Sequence, residues 1–183
     1  VETAPPPTIS KTLKTTEGGD GAQYDYAVIK TDFGTPAFNI MDAAQSAVDG
    51  TVDVDVDDDS TRHFLLMLDS TGTYKPKVID KLTGAAAEAE AGTTYTEPTY
   101  TPGANTYSFA IEGVHSGTAV EGYHAIAYLY PGRDIAQFCE AAKGISNVSG
   151  EVTFSDLAPG IYVCVILDPG GNYPKAFEFE IAE

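Results

Sequence analysis

Five carboxylates crowd one short stretch, Asp53, Asp55, Asp57, Asp58 and Asp59. A hard cation such as Ca²⁺ needs several carboxylate oxygens converging on one point. In Thr51-Val52-Asp53-Val54-Asp55-Val56-Asp57 valine and aspartate alternate. As a strand this run puts Asp53, Asp55 and Asp57 on one face, with Asp58 and Asp59 in the turn that follows. It is not an EF-hand, because the Gly at the sixth position and the Glu at the twelfth are missing. Two readings stay open: a Ca²⁺ site, or a solvated strand face that discourages edge-to-edge pairing.

The other reactive side chains are scattered. Cys139 and Cys164 form an even pair, which fits one disulfide in an oxidising compartment or two buried thiols. His63, His115 and His124 have no spacing suited to zinc, and neither cysteine has a histidine partner for nucleophilic catalysis. No Gly-rich loop joins a strand to a helix as phosphate binding requires. Catalysis is therefore not expected. Tyr95, Tyr100, Tyr107, Tyr123, Tyr128 and Tyr130 suggest either a sugar-stacking surface or the ordinary aromatics of a β-sandwich. Asn147-Val148-Ser149 is a glycosylation sequon.

The elements that must hold these residues are largely strands. The 183 residues carry a formal net charge of −17, which argues against nucleic acid and anionic membrane partners. No apolar run approaches the length that crosses a bilayer. The opening Val1-Glu2-Thr3-Ala4-Pro5-Pro6-Pro7 reads as a flexible leader typical of a secreted chain. The chain then repeats itself. Leu68-Asp69-Ser70-Thr71-Gly72-Thr73-Tyr74-Lys75-Pro76-Lys77 is answered by Leu167-Asp168-Pro169-Gly170-Gly171-Asn172-Tyr173-Pro174-Lys175, each after an apolar strand. Asp69 and Asp168 read as turn-formers. Alternation predicts strands over 8–14, 24–29, 51–57, 61–68, 74–79, 107–111, 123–130, 151–154, 161–167 and 176–181. Helical spacing of Phe38, Met41, Ala44 and Val48 predicts a helix opening at Thr35-Pro36 and closing at Gly50. Ile135, Phe138, Cys139 and Ala142 predict a second, capped by Asp134 and closed by Gly144. The low-complexity run 84–92 and the Thr-Tyr-Thr-x-Pro phrases that follow read as a linker.

Two stretches carry a family likeness. Gly150-Glu151-Val152-Thr153-Phe154-Ser155-Asp156-Leu157-Ala158-Pro159-Gly160-Ile161-Tyr162-Val163 resembles the two strands and Pro-Gly corner of Cna-B-type, pilin-like domains of bacterial surface proteins. Pro7-Thr8-Ile9-Ser10-Lys11-Thr12-Leu13-Lys14, followed by Tyr24-Asp25-Tyr26, is similar to the first strands of isopeptide-containing pilin domains. The resemblance implies a first-strand lysine, Lys11 or Lys14, bonded to an Asn or Asp of the last strand with help from a buried acid. The run 176–181 contains neither Asn nor Asp. Tyr173-Pro174-Lys175 is similar to the Tyr-Pro-Lys of sortase-built pilus shafts, which implies Lys175 as a cross-link lysine.

The expected architecture is all-β: two tandem Ig-like antiparallel sandwiches over 8–83 and 105–183, each with a short inserted helix, joined by a linker over 84–104. The expected role is a non-enzymatic extracellular subunit of a surface fibre, pilus or adhesin stalk. It self-associates into a polymer, with Ile9 and Leu13 on a strand available for donation to a neighbour. The competing expectation is a module that binds a host or environmental glycan through its tyrosines and Ca²⁺.

Overall fold

Alternating apolar residues set the strands, and the strands fall into two sets with one connectivity. The computed structural model describes residues 8–13, 24–32, 37–55, 62–82, 95–113, 119–170 and 174–183. The chain divides into compact units at Val1–Glu97 and Pro98–Glu183. The first holds β1 (Thr8–Thr12), β2 (Asp25–Asp32), β3 (Ala37–Gln45), β4 (Thr51–Asp55), β5 (Arg62–Leu68) and β6 (Lys77–Leu82). The second holds β7 (Asn105–Ala110), β8 (His124–Leu129), β9 (Cys139–Ile145), β10 (Glu151–Leu157), β11 (Gly160–Leu167) and β12 (Lys175–Ile181). All pairings are antiparallel. Sheet order is β1-β4 and β3-β2-β5-β6 in the first unit, and β7-β10 and β9-β8-β11-β12 in the second.

Each unit closes its two sheets over a core. In the first, Leu13, Val52 and Val54 pack with Tyr26, Val28 and Leu65. In the second, Val152, Phe154 and Leu157 pack with Ala125, Ala127, Tyr162, Cys164 and Phe179. Phe64, Leu65, Leu66, Met67 and Leu68 are all buried, so β5 is covered on both faces. That explains its unbroken apolar run.

The turns that carry the chain from β3 to β4 and from β9 to β10 share one hydrogen-bond frame. Ser46 N–H donates to Tyr24 C=O at 2.9 Å, as Ser146 donates to Tyr123 at 2.9 Å. Leu13 N–H donates to Gly50 C=O, as Ile111 donates to Gly150. Gly50 and Gly150 close the turns at φ 82° and 73°, a backbone region that disfavours side chains.

Both expected helices are strands, β3 and β9. A bulge in each pair accounts for the misleading period. Val28 and Ile29 face Asp42 and Ile40, leaving Met41 extra. Ala127 and Tyr128 face Ala142 and Glu140, leaving Ala141 extra. One added residue turns a period of two into local spacings of three, which mimics a helical face. Asp134 does act as a cap, accepting from Ala136 N–H at 3.0 Å. It caps only the 3-10 turn Ile135–Gln137.

Candidate functional site

Strand register pairs three chemistry-bearing residues of the first unit with residues of one core. Lys11 is opposite Val52, Asp42 opposite Val28, and Asp80 opposite Leu65. Directly opposed residues share a sheet face, and Val52, Val28 and Leu65 belong to one core. Asp42 is 0% exposed, which is costly for a carboxylate without paired or hydrogen-bonded company. The second unit has the same three positions. Phe109 is opposite Val152, Ala142 opposite Ala127, and Phe177 opposite Cys164. There the outer two meet edge to face, with ring centroids 5.2 Å apart at 75°. Positions that touch in one unit are thus Lys, Asp and Asp in the other.

A second feature belongs to the second unit. Tyr107 stacks on Phe179 at 4.0 Å, and Phe109 meets Phe177. Beyond this aromatic closure the sheets part into a groove of about 750 Å³. Ile111, Tyr123, Ile166 and Phe177 give it an apolar floor, and Glu112, Asp168 and Lys175 stand among its lining. Lys175 opens β12 and is exposed.

No protein-family profile matches the chain, and no curated protein matches it. Among solved structures it is similar to the shaft pilin SpaA of Lactobacillus rhamnosus GG. One single mutant of that pilin matches at TM-score 0.34 and 12% identity, over 95% of this chain and 88% of that chain. A double mutant matches at 0.33 and 11%, over 96% and 93%. The unmutated pilin matches at 0.33 and 10%, over 96% and 94%.

The remaining candidates are dispersed. Asp53 sits on the outward face of β4, bonded by the Ser10 hydroxyl. Asp55 is paired in β4 with Thr8, while Asp57, Asp58 and Asp59 lie outside the described residues, as does Lys14. Among the described residues no three His, Cys, Asp or Glu side chains gather as metal ligands.

The disulfide expectation is corrected: Cys139 and Cys164 are buried and are not joined to each other. They stand on β9 and β11 with β8 between them. Two strand spacings of about 4.8 Å exceed the Cα separation of about 7 Å that a disulfide spans. Burial pushes the Cys164 thiol far up, which makes it inert.

Ile9 is paired with Val54, and Leu13 is fully buried in its own unit. Donation of this strand to a neighbour would first break those contacts. Three of the six candidate tyrosines are taken up by packing. Tyr128 and Tyr130 are buried against Phe138, and Tyr107 is stacked on Phe179. Among the described residues no helix is long and apolar enough to cross a membrane.

Sequence reading missed Asp42 and Asp80. Asp42 was hidden by the bulge, which suggested a helix. Asp80 was overlooked because the last-strand acid was sought in 176–181 rather than in the first repeat. The Leu-Asp turn, aligned across both copies, would have pointed to it.

Proposed function

We propose that the chain is a structural subunit of an extracellular fibre, and that its first unit is locked by an internal amide between Lys11 and Asp80, assisted by Asp42. The observation that carries this is the register triple of Lys11, Asp42 and Asp80 on one core, at positions filled by Phe109, Ala142 and Phe177 in the second unit. A dry site favours a neutral amine and a neutral carboxylic acid. The Lys11 amine attacks the Asp80 carboxyl carbon, the C–N bond forms and the C–OH bond breaks. Asp42 relays the proton from nitrogen to the departing hydroxyl, and one water leaves. The product carries no charge at either group and joins the first strand to the last, which suits a unit that carries tension.

Intact-mass measurement of the full chain tests the lock. The expected mass is one water below the sequence value, restored to zero deficit by Asp42→Ala. A wild-type mass equal to the sequence value rejects it. The fibre is tested separately. Lys175, exposed at the groove, is proposed as the amine that links subunits. Surface polymers should resist boiling in detergent and disappear in Lys175→Ala. Strictly monomeric particles by electron microscopy of surface extracts would count against assembly.

A further inference from the structure

The segment that enters the second unit is bound down before the first strand of that unit begins. Residues 98–104 precede β7, yet they are fixed to the corner between β10 and β11. Ala158 N–H donates to Tyr100 Oη at 2.8 Å. The Tyr100 hydroxyl reaches Asp156 C=O at 3.1 Å and Tyr162 Oη at 3.0 Å. The Tyr162 hydroxyl donates to Ala158 C=O at 2.7 Å, so the single Tyr100 hydrogen is shared between Asp156 C=O and Tyr162 Oη. Burial, and next the Tyr100 hydroxyl, raise the Tyr162 phenol far above its ordinary value, which keeps it a donor. Gly103 N–H adds a bond to Asp156 C=O at 3.0 Å. A Cβ on Gly103 would stand 2.3 Å from Leu157 C=O, so the segment lies flush because that residue has no side chain. The corner is itself unusual: Asp156 sits at φ 58° beside a bulge, a conformation few non-glycine residues adopt.

These contacts share two properties. They are short polar bonds at one end of the strap, partly screened by the Tyr100 ring packed on the core. None of them is a rung of a β-ladder, though Asp156 belongs to β10 and Tyr162 to β11. Tension arriving through residue 97 therefore meets the strap before it meets any strand pair. We propose that residues 98–104 are a mechanical latch: connecting chain stored against the β10–β11 corner and released under load while the second unit stays folded. The store is small but measurable. Seven residues, fully extended, span about 24 Å, which bounds the gain from above. The proposal stands independently of fibre assembly, since it concerns one chain pulled at its ends.

Single-molecule pulling on the full chain reads it directly. A reversible lengthening of less than about 24 Å should precede unfolding of the second unit. In Tyr100→Phe the step should keep its length and occur at a clearly lower force. Gly103→Ala opens the same latch by a clash instead of a lost bond and should give the same result. Hydrogen exchange at Ala158 N–H is the second readout. Its protection should drop roughly tenfold in Tyr100→Phe, the scale of one lost bond at a partly buried donor, while β11 amides keep theirs. Absence of the early step in the wild type, or an unchanged step force and unchanged Ala158 exchange in both variants, overturns the latch.

Discussion

The two units share a backbone frame and solve the same packing problem with opposite chemistry. At three matching positions the second unit places Phe109, Ala142 and Phe177, and two of these rings touch. The first places Lys11, Asp42 and Asp80 at the corresponding register. Aromatic packing gives stability through buried area and ring geometry. Buried charge gives none unless it is paired, bonded or removed. The frame tolerates both because strand pairing, bulge and Gly turn are the same in each. The difference shows that the fold is set by the frame, and that special chemistry is added by exchanging a few side chains inside it. Neighbouring positions follow the same rule. His63 occupies the place of Tyr162, and both are fully buried, yet only Tyr162 is tied to a strap by the described hydrogen bonds.

The largest effect should come from breaking the polar side of this contrast. Lys11→Met keeps much of the stem and cannot form an amide. A cross-link from residue 11 to residue 80 closes a long loop, whose loss costs about 4 kcal/mol in the chain-entropy account. Denaturant unfolding should show the first unit's transition move down by that amount while the second unit's is unmoved. An unchanged or raised midpoint would mean that the triple is ordinary buried polarity.

The aromatic side should yield less to a single substitution. Phe177→Ala removes a ring that meets Phe109 and Phe179. Its place on the groove leaves it partly solvated, so the cost should be about 2–3 kcal/mol, below the range for a fully buried Phe. The loss should fall on the second unit's transition alone. A cost equal to that of Lys11→Met would erase the proposed distinction between packing and a covalent lock.

Much of this was legible in the sequence, for a physical reason. Strict alternation in 51–57 and 176–181 and the apolar run 161–167 leave strands as the only economical reading. The duplicated Leu-Asp turn pointed to two like units. Illegible were β3 and β9, where a bulge resets the period and local spacing takes on a helical rhythm. Asp42 was lost with β3, because a carboxylate's meaning depends on which face it shares and with whom. Lys11 was visible as a candidate, but that its partner Val52 and the Asp80 partner Leu65 belong to one core is a long-range pairing that spacing along the chain does not encode. The disulfide failed similarly: two cysteines say nothing of the strand lying between them.

The smallest effect separates the two Leu-Asp turns. Asp69 accepts from Thr71 N–H at 2.9 Å, from the Thr71 hydroxyl at 2.8 Å and from Tyr74 N–H at 2.7 Å. In the second unit Pro169 and Gly170 replace Ser70 and Thr71, so proline pre-sets the backbone and the hydroxyl donor is gone. Burial alone would raise the Asp69 carboxyl, but the Tyr74 and Thr71 donors outweigh it and hold its pKa below 3.8. A lowered folded pKa means that the carboxylate's contribution is complete above the unfolded value and fades as pH falls through the folded one. Asp69→Asn keeps one acceptor but turns an amide N–H₂ toward the donor of Tyr74. At pH 7 it should cost about 1 kcal/mol, measured as a shift in the first unit's urea midpoint. As pH falls through the lowered folded value, the wild-type group is itself protonated and the gap between the two proteins should narrow. A gap that stays constant from pH 7 into acid would show that turn shape, as in the Pro169 copy, holds the first turn as well.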